Sequence, residues 1–197
     1  MVSPDCIKIT TDAGLSFFIR TSYLSLVSKE MLVENAEFSD LKEEDIVDAG
    51  LCFAAEKKAL DYLNRSEQYR LGLFSKLLSK GFEKSHINRA LDFLEQKKAL
   101  DDSRFARAWL NNRKITHAEG RTKLEAELVS RGIKKEIIEK NLDEFFEENS
   151  ERELCLRAYK KCLRLKKSED KTVSYLLKNG FSIKLIQNIR DYYATKE

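Results

Sequence analysis

The sequence predicts a mainly α-helical protein: three tandem three-helix repeats forming an elongated, curved array, preceded by a small N-terminal β-hairpin. Three observations carry this reading. Nearly the same seven residues occur three times, as KLLSKGF at 76–82, ELVSRGI at 127–133 and YLLKNGF at 175–181. Helix breakers are scarce, with one proline (Pro4) and seven glycines in 197 residues,. The composition joins 42% hydrophobic to 35% charged residues, which suits helices that bury one stripe and expose the rest,.

The hairpin comes first. Cys6-Ile7-Lys8-Ile9-Thr10 alternates apolar and polar residues, and Leu15 to Arg20 is rich in aromatic and β-branched types. Thr11-Asp12-Ala13-Gly14 between them is turn chemistry,. An isolated hairpin is barely stable in water, so this one must lie on Tyr23, Leu24, Leu26 and Val27 or on the helix that follows. That helix is expected to start at Asp40 as N-cap and to run through Ile46, Leu51 and Phe53 toward Leu63, with Gly50 as its weak point,.

The repeats are registered on their glycines, 51 residues from Gly81 to Gly132 and 48 from Gly132 to Gly180,. Glycine takes the left-handed conformation at a helix C-terminus without a Cβ penalty, so these three are read as helix stops. In a Schellman motif the residue after the glycine packs on the C3 residue. The pairs are Phe82 with Leu77, Ile133 with Leu128 and Phe181 with Leu176. A helix follows each stop, carrying Ile87, Leu91 and Leu94, then Ile138, Leu142 and Phe145, then Ile186, Ile189 and Tyr193,. A helix also opens each unit: Ala59–Leu63, Phe105–Leu110 and Leu154–Leu165, with loops at Lys114–Glu119 and Lys166–Asp170. The expected organisation is a hairpin and start of a linking helix over 1–54, then repeats at 55–100, 101–149 and 150–197. Small three-helix units gain stability by stacking on neighbours.

Charge supports a boundary near residue 54. Residues 1–54 hold 4 Lys/Arg against 10 Asp/Glu, and residues 55–197 hold 32 against 23. Within the repeats the net charge is +4, −1 and +6 in order, so the cations collect at the two ends. No apolar run approaches the roughly 20 residues of a membrane span, and the N-terminus does not read as a secretory signal. The expectation is a cytoplasmic protein with no membrane contact. Cys6, Cys52, Cys155 and Cys162 form no C-x-x-C pair. Cys155 and Cys162 are two helical turns, about 10 Å, apart, too far for a disulfide, and all four are read as reduced thiols.

No catalytic constellation stands out. His86 and His117 are the only histidines, and neither has a metal-ligand partner at helical spacing,. Asp101-Asp102 is read as the capped start of a helix rather than as a carboxylate pair for Mg²⁺,. Phosphate-binding glycine loops and nucleophile elbows are absent,. No enzyme activity, metal or cofactor is expected. The informative stretch is RAYKKCLRLKK in the third repeat. Arg157, Lys160, Lys161, Arg164 and Lys167 follow helical spacing on one face, and Cys155, Ala158, Tyr159 and Cys162 take the other. Like charges concentrated on one face suit phosphates or an acidic protein surface.

The segment LDDSRFARA at 100–108, with Gly120-Arg121 and ELVSRGI at 127–133, resembles the central motif of the RecX family, regulators of the RecA recombinase. Ala59-Leu60, Tyr62-Leu63 and KLLSKGF are similar to that family's first repeat, and the resemblance covers about residues 55–197. The family's Ser-x-x-Glu-Leu box is missing, since Tyr69, Gly72 and Leu73 stand there. The resemblance implies a small cytoplasmic protein of three-helix repeats with no cofactor or catalytic residue, and a monomer is expected. It implies binding in the groove of the RecA–DNA filament, and restraint of ATP hydrolysis and strand exchange in recombination and DNA repair. Single- or double-stranded DNA is then contacted weakly or through the filament. The alternative is a protein that binds nucleic acid directly, using helix–Gly–helix units like helix-turn-helix modules. The near-neutral middle repeat argues against it.

Overall fold

The structure, a computed structural model, describes residues 5–194, and the single proline lies outside them. The chain is mainly helical, with a two-stranded antiparallel sheet at the N-terminus. It separates into two units, Met1–Asp101 and Asp102–Glu197.

In the first unit β1 (Cys6–Thr10) pairs with β2 (Ser16–Arg20), Cys6 opposite Arg20 and Thr10 opposite Ser16. Gly14 closes the turn at φ +79°, its N–H donating to the Thr11 carbonyl at 2.8 Å. The hairpin lies on α1 (Asp40–Leu63), which continues unbroken through Gly50. A Cβ at Gly50 would stand 2.8 Å from the Phe17 ring, so this glycine is the seat of the hairpin rather than a weak point. Helix α1 starts one residue past a Ser39 N-cap, which makes Asp40 its first residue and not its cap. Ile19, Tyr23, Val27, Ile46, Ala49 and Cys52 form the core between hairpin and helix. Leu26 differs from expectation: it is 57% exposed, because its backbone is turned toward Asp45. The Asp45 carboxylate accepts the N–H groups of Ser25, Leu26 and Val27. Desolvation acts to raise this carboxyl, but the three backbone donors outweigh it and hold it below the usual range,.

A buried ion pair fastens the same region. Arg20 donates through Nε to Glu56 Oε2 at 2.8 Å and through Nη2 to Oε1 at 2.5 Å, while Tyr23 Oη donates to Oε2 at 2.9 Å. The guanidinium lies 4.4 Å from the Phe93 ring centroid and 5.5 Å from that of Phe53. Glu56 is only 1% exposed, so deleting Arg20 would strand a buried carboxylate, at a cost of roughly 3–5 kcal/mol,.

Two further helices complete this unit: α2 (Arg70–Leu78) and α3 (Lys84–Gln96). Leu73, Leu77, Ile87, Leu91 and Leu94 bury their side chains together with Ala59 of α1. Each such leucine or isoleucine contributes about 1.5–3 kcal/mol of transfer free energy. Gly72, at a position of the missing capping box, makes room for the Tyr69 ring, 2.8 Å from where its Cβ would be.

The second unit contains α4 (Asp102–Thr116), α5 (Arg121–Val129), α6 (Lys135–Glu148), α7 (Glu151–Arg164), α8 (Glu169–Lys178) and α9 (Ile183–Ala194). Helix α4 takes up the first three residues of the loop expected at Lys114–Glu119, and α8 starts at Glu169, inside the loop expected to last to Asp170. One core serves all six helices, with Ala106, Leu124, Leu128, Leu142, Leu154 and Ile186 among its members.

The three glycines at the ends of α2, α5 and α8 have φ of +88°, +71° and +83°. Phe82 N–H reaches the Leu77 carbonyl at 3.4 Å and Gly81 N–H reaches that of Leu78 at 3.0 Å. Ile133 and Gly132 bond in the same way to Leu128 and Val129, and Phe181 and Gly180 to Leu176 and Leu177. This is the paired hydrogen bonding of a Schellman motif. Lys98 after α3 and Lys166 after α7 show it too, at φ +56° and +48°, with Ala99 N–H on the Leu94 carbonyl and Lys167 N–H on that of Cys162.

Candidate functional site

Helix α7 is specified from both ends. Ser150 is its N-cap, accepting from Glu153 N–H at 3.4 Å, which starts the helix three residues before the expected Leu154,. Glu151 and Glu153 occupy the first turn and Lys161 and Arg164 the last, all favourable to the helix dipole,. Leu154, Cys155, Ala158 and Cys162 are buried. Burial pushes the Cys155 thiol up to about 12, so it is neutral and inert at physiological pH,.

The structure divides the five cations on the opposite side of α7. Arg157 Nη2 donates to the Lys114 carbonyl at 2.6 Å and also to the carbonyl of His117, so its charge tethers the C-terminal end of α4,. Lys167 lies past the helix end and is half-buried, its Nζ 4.2 Å from the Tyr175 ring centroid,. Lys160, Lys161 and Arg164 are exposed and form no ion pair among the described residues. Arg164 lies four residues from Lys160 and three from Lys161, so the guanidinium is the helix-surface neighbour of both lysines,. The solvent-facing cationic patch is therefore three residues wide, flanked by the exposed Leu163 and Leu165.

A buried polar contact fixes the neighbouring repeat against this one. Gly120 N–H donates to the Asn179 carbonyl at 2.8 Å, and Arg121 N–H to Glu151 Oε1 at 2.9 Å. A Cβ at Gly120 would be 2.4 Å from the Gly180 oxygen, and one at Gly180 would be 2.4 Å from Lys123 N. Both glycines are needed for the backbones to meet. Beside them Glu119, 3% exposed, binds Arg113 through Nε at 2.6 Å and Nη2 at 3.0 Å, and Lys123 Nζ at 2.9 Å. Burial alone would raise the Glu119 carboxyl, but Arg113 and Lys123 together hold it below the ordinary range,. Arg113 and Arg131 lie over the Trp109 ring, at 5.4 and 4.8 Å from its centroid. Spacing along the chain carried no signal for this Gly120–Gly180 junction, because it joins residues 60 apart in sequence.

His86 is buried in the first unit, its Nε2 2.5 Å from Asp48 Oδ1. Among the described residues no group of three His, Cys, Asp or Glu side chains is placed to hold a metal ion. No helix among them is long and apolar enough to cross a membrane.

Comparison with known proteins converges on one family. The family profile described as RecX, second three-helix domain, matches residues 101–142. The regulatory protein RecX of Treponema pallidum (strain Nichols) is 42% identical over 113 residues, covering 57% of this chain and 69% of its own. That of Clostridium botulinum (strain Eklund 17B / Type B) is 24% identical over 190 residues, covering 93% and 87%. A crystal structure of a regulatory protein RecX superposes with a TM-score of 0.76 at 21% identity, covering 97% of this chain and 95% of that one.

Proposed function

Because this chain belongs to the RecX family, we propose that it is a non-enzymatic, cytoplasmic regulator of the RecA recombinase. In this reading it binds as a monomer in the groove of the RecA–DNA filament and restrains ATP hydrolysis and strand exchange. The repeats at 55–100, 101–149 and 150–197 act as successive contact modules. The observation that carries the reading is the patch Lys160, Lys161 and Arg164, three exposed cations with no ion-pair partner among the described residues, on a helix fixed at both ends. Pre-positioned charge of this kind meets phosphates or carboxylates without a large ordering cost. Arg157 and Lys167 support the patch by holding α4 and the α7–α8 turn, rather than by meeting the partner.

The test is RecA ATPase on single-stranded DNA, titrated with wild-type protein and with the Lys160→Glu/Lys161→Glu/Arg164→Glu variant. The variant should keep its helicity, since exposed charge changes cost little stability. Its inhibition should fall by about tenfold or more, as three attractions become repulsions. Equal potency of two folded proteins would place the contact elsewhere. If naked DNA at physiological salt is bound as tightly as the filament, direct nucleic-acid binding is the better reading.

A further inference from the structure

A second surface of opposite sign lies in the same unit. A cavity of about 310 Å³ opens between α4 and α6. Leu110 and Phe145 supply its apolar wall, and Arg107, Glu144, Glu147 and Glu148 its charged one. Arg107 is already engaged, its Nη2 2.9 Å from Glu144 Oε2. Glu147 and Glu148 are exposed and form no ion pair among the described residues. They stand in the last turn of α6, which contains no basic residue, so their charge adds to the negative end of the helix dipole,.

An independent feature on the same wall asks for a donor. Asn141 lines the cavity and is 3% exposed. Its Nδ2 donates to the Ile137 carbonyl at 2.8 Å and contacts Ser103 Oγ at 2.9 Å, which fixes the orientation of the amide,. Its Oδ1 is buried with no hydrogen-bond partner. Buried acceptors are rarely left this way in a native structure.

We propose that this cavity receives a lysine or arginine side chain from a protein partner. The positive head pairs with Glu147 and Glu148, its entry uncovers the buried Asn141 carbonyl as a further acceptor, and the alkyl stem lies along Leu110 and Phe145,. Two unpaired carboxylates repel phosphate, so the occupant is a protein group and not nucleic acid. This deepens the filament reading and rests on it for the identity of the partner: α7 offers cations and α6 offers a receptor for one, so the partner surface presents both signs.

Two measurements test it on the full chain. In the first, NMR follows the Asn141 side-chain amide during titration with ethylguanidinium and, as a neutral control, ethylurea. Wild-type protein should show a saturating shift with the cation alone, and the Glu147→Lys/Glu148→Lys variant should lose it. Equal shifts from both probes, or none from either, overturn the pocket. In the second, co-sedimentation with RecA filaments should weaken about tenfold for the same variant. Unchanged co-sedimentation alongside a cation-specific shift overturns the assignment to a protein partner, since the pocket then takes a free cation. Failure of wild-type protein to co-sediment overturns the filament reading and, with it, RecA as the source of the side chain; the NMR arm still decides the pocket.

Discussion

At the scale of single residues, the same amino acid in the same motif has different reasons for being there. A Cβ at Gly81 would meet nothing within 4 Å, so its glycine answers only to φ +88°. Gly180 combines φ +83° with a backbone nitrogen 2.4 Å from where its Cβ would be. Gly81→Ala should cost about 1 kcal/mol, the penalty of the left-handed region, and Gly180→Ala roughly 3 kcal/mol or more, because a packing clash adds to it. Urea unfolding of the two variants measures the difference, and equal losses would mean that the junction relaxes freely. The converse holds at Lys98 and Lys166, which take left-handed conformations with side chains. Lys98→Gly or Lys166→Gly should raise stability by a few tenths to about 1 kcal/mol in the same assay. These two stops were illegible in the sequence, since the glycines announce a left-handed cap and a lysine does not. The exposure of Leu26 is equally illegible, since it depends on the backbone of Ser25–Val27 turning toward Asp45, and Ser39 and Asp40 are both good N-cap types that only the structure separates,.

At the scale of elements, the stripes that define α3, α6 and α9 were legible because helical spacing and burial coincide there; Ile87, Leu91, Ile138, Leu142, Ile186 and Ile189 are all buried. The division of the cations on α7 was not. Their spacing places them on one side, but only the tertiary structure shows Arg157 spent on the carbonyls of Lys114 and His117. The α4–α5 connection gives a pH prediction. Glu119 titrates below the ordinary carboxylate range in the folded state, so it binds fewer protons there than in the unfolded chain. Its contribution is full above the unfolded value of about 4.3 and is lost as pH falls through the depressed folded value. Glu119→Gln should therefore lower stability at neutral pH and flatten the acid limb of a stability–pH curve. Chemical denaturation from pH 7 down to pH 3 checks this, and parallel wild-type and variant curves would remove Glu119 as the cause.

At the scale of the whole molecule, the repeat in the sequence and the packing of the cores count differently. Sequence repeats itself three times, yet the six helices from Asp102 onward share one hydrophobic core that includes Leu124, Leu142, Cys155 and Ile186. A fragment of residues 102–197 should fold alone, with a helical circular dichroism spectrum and a cooperative melt. A fragment of residues 150–197 should not, because its buried residues lose the part of the shared core that α4, α5 and α6 supply and so small a chain has too little core,. A cooperative melt from the shorter piece would show that the last repeat is autonomous. The hydrogen bond from Gly120 N–H to the Asn179 carbonyl belongs to no helix, and it makes that one amide a clock for the whole unit. Its two groups stand at helix ends, Gly120 before α5 and Asn179 after α8, so it opens when the start of α5 parts from the end of α8. Its deuterium uptake, read beside that of Arg121 on Glu151, times how often two repeats that share a core let go of each other,.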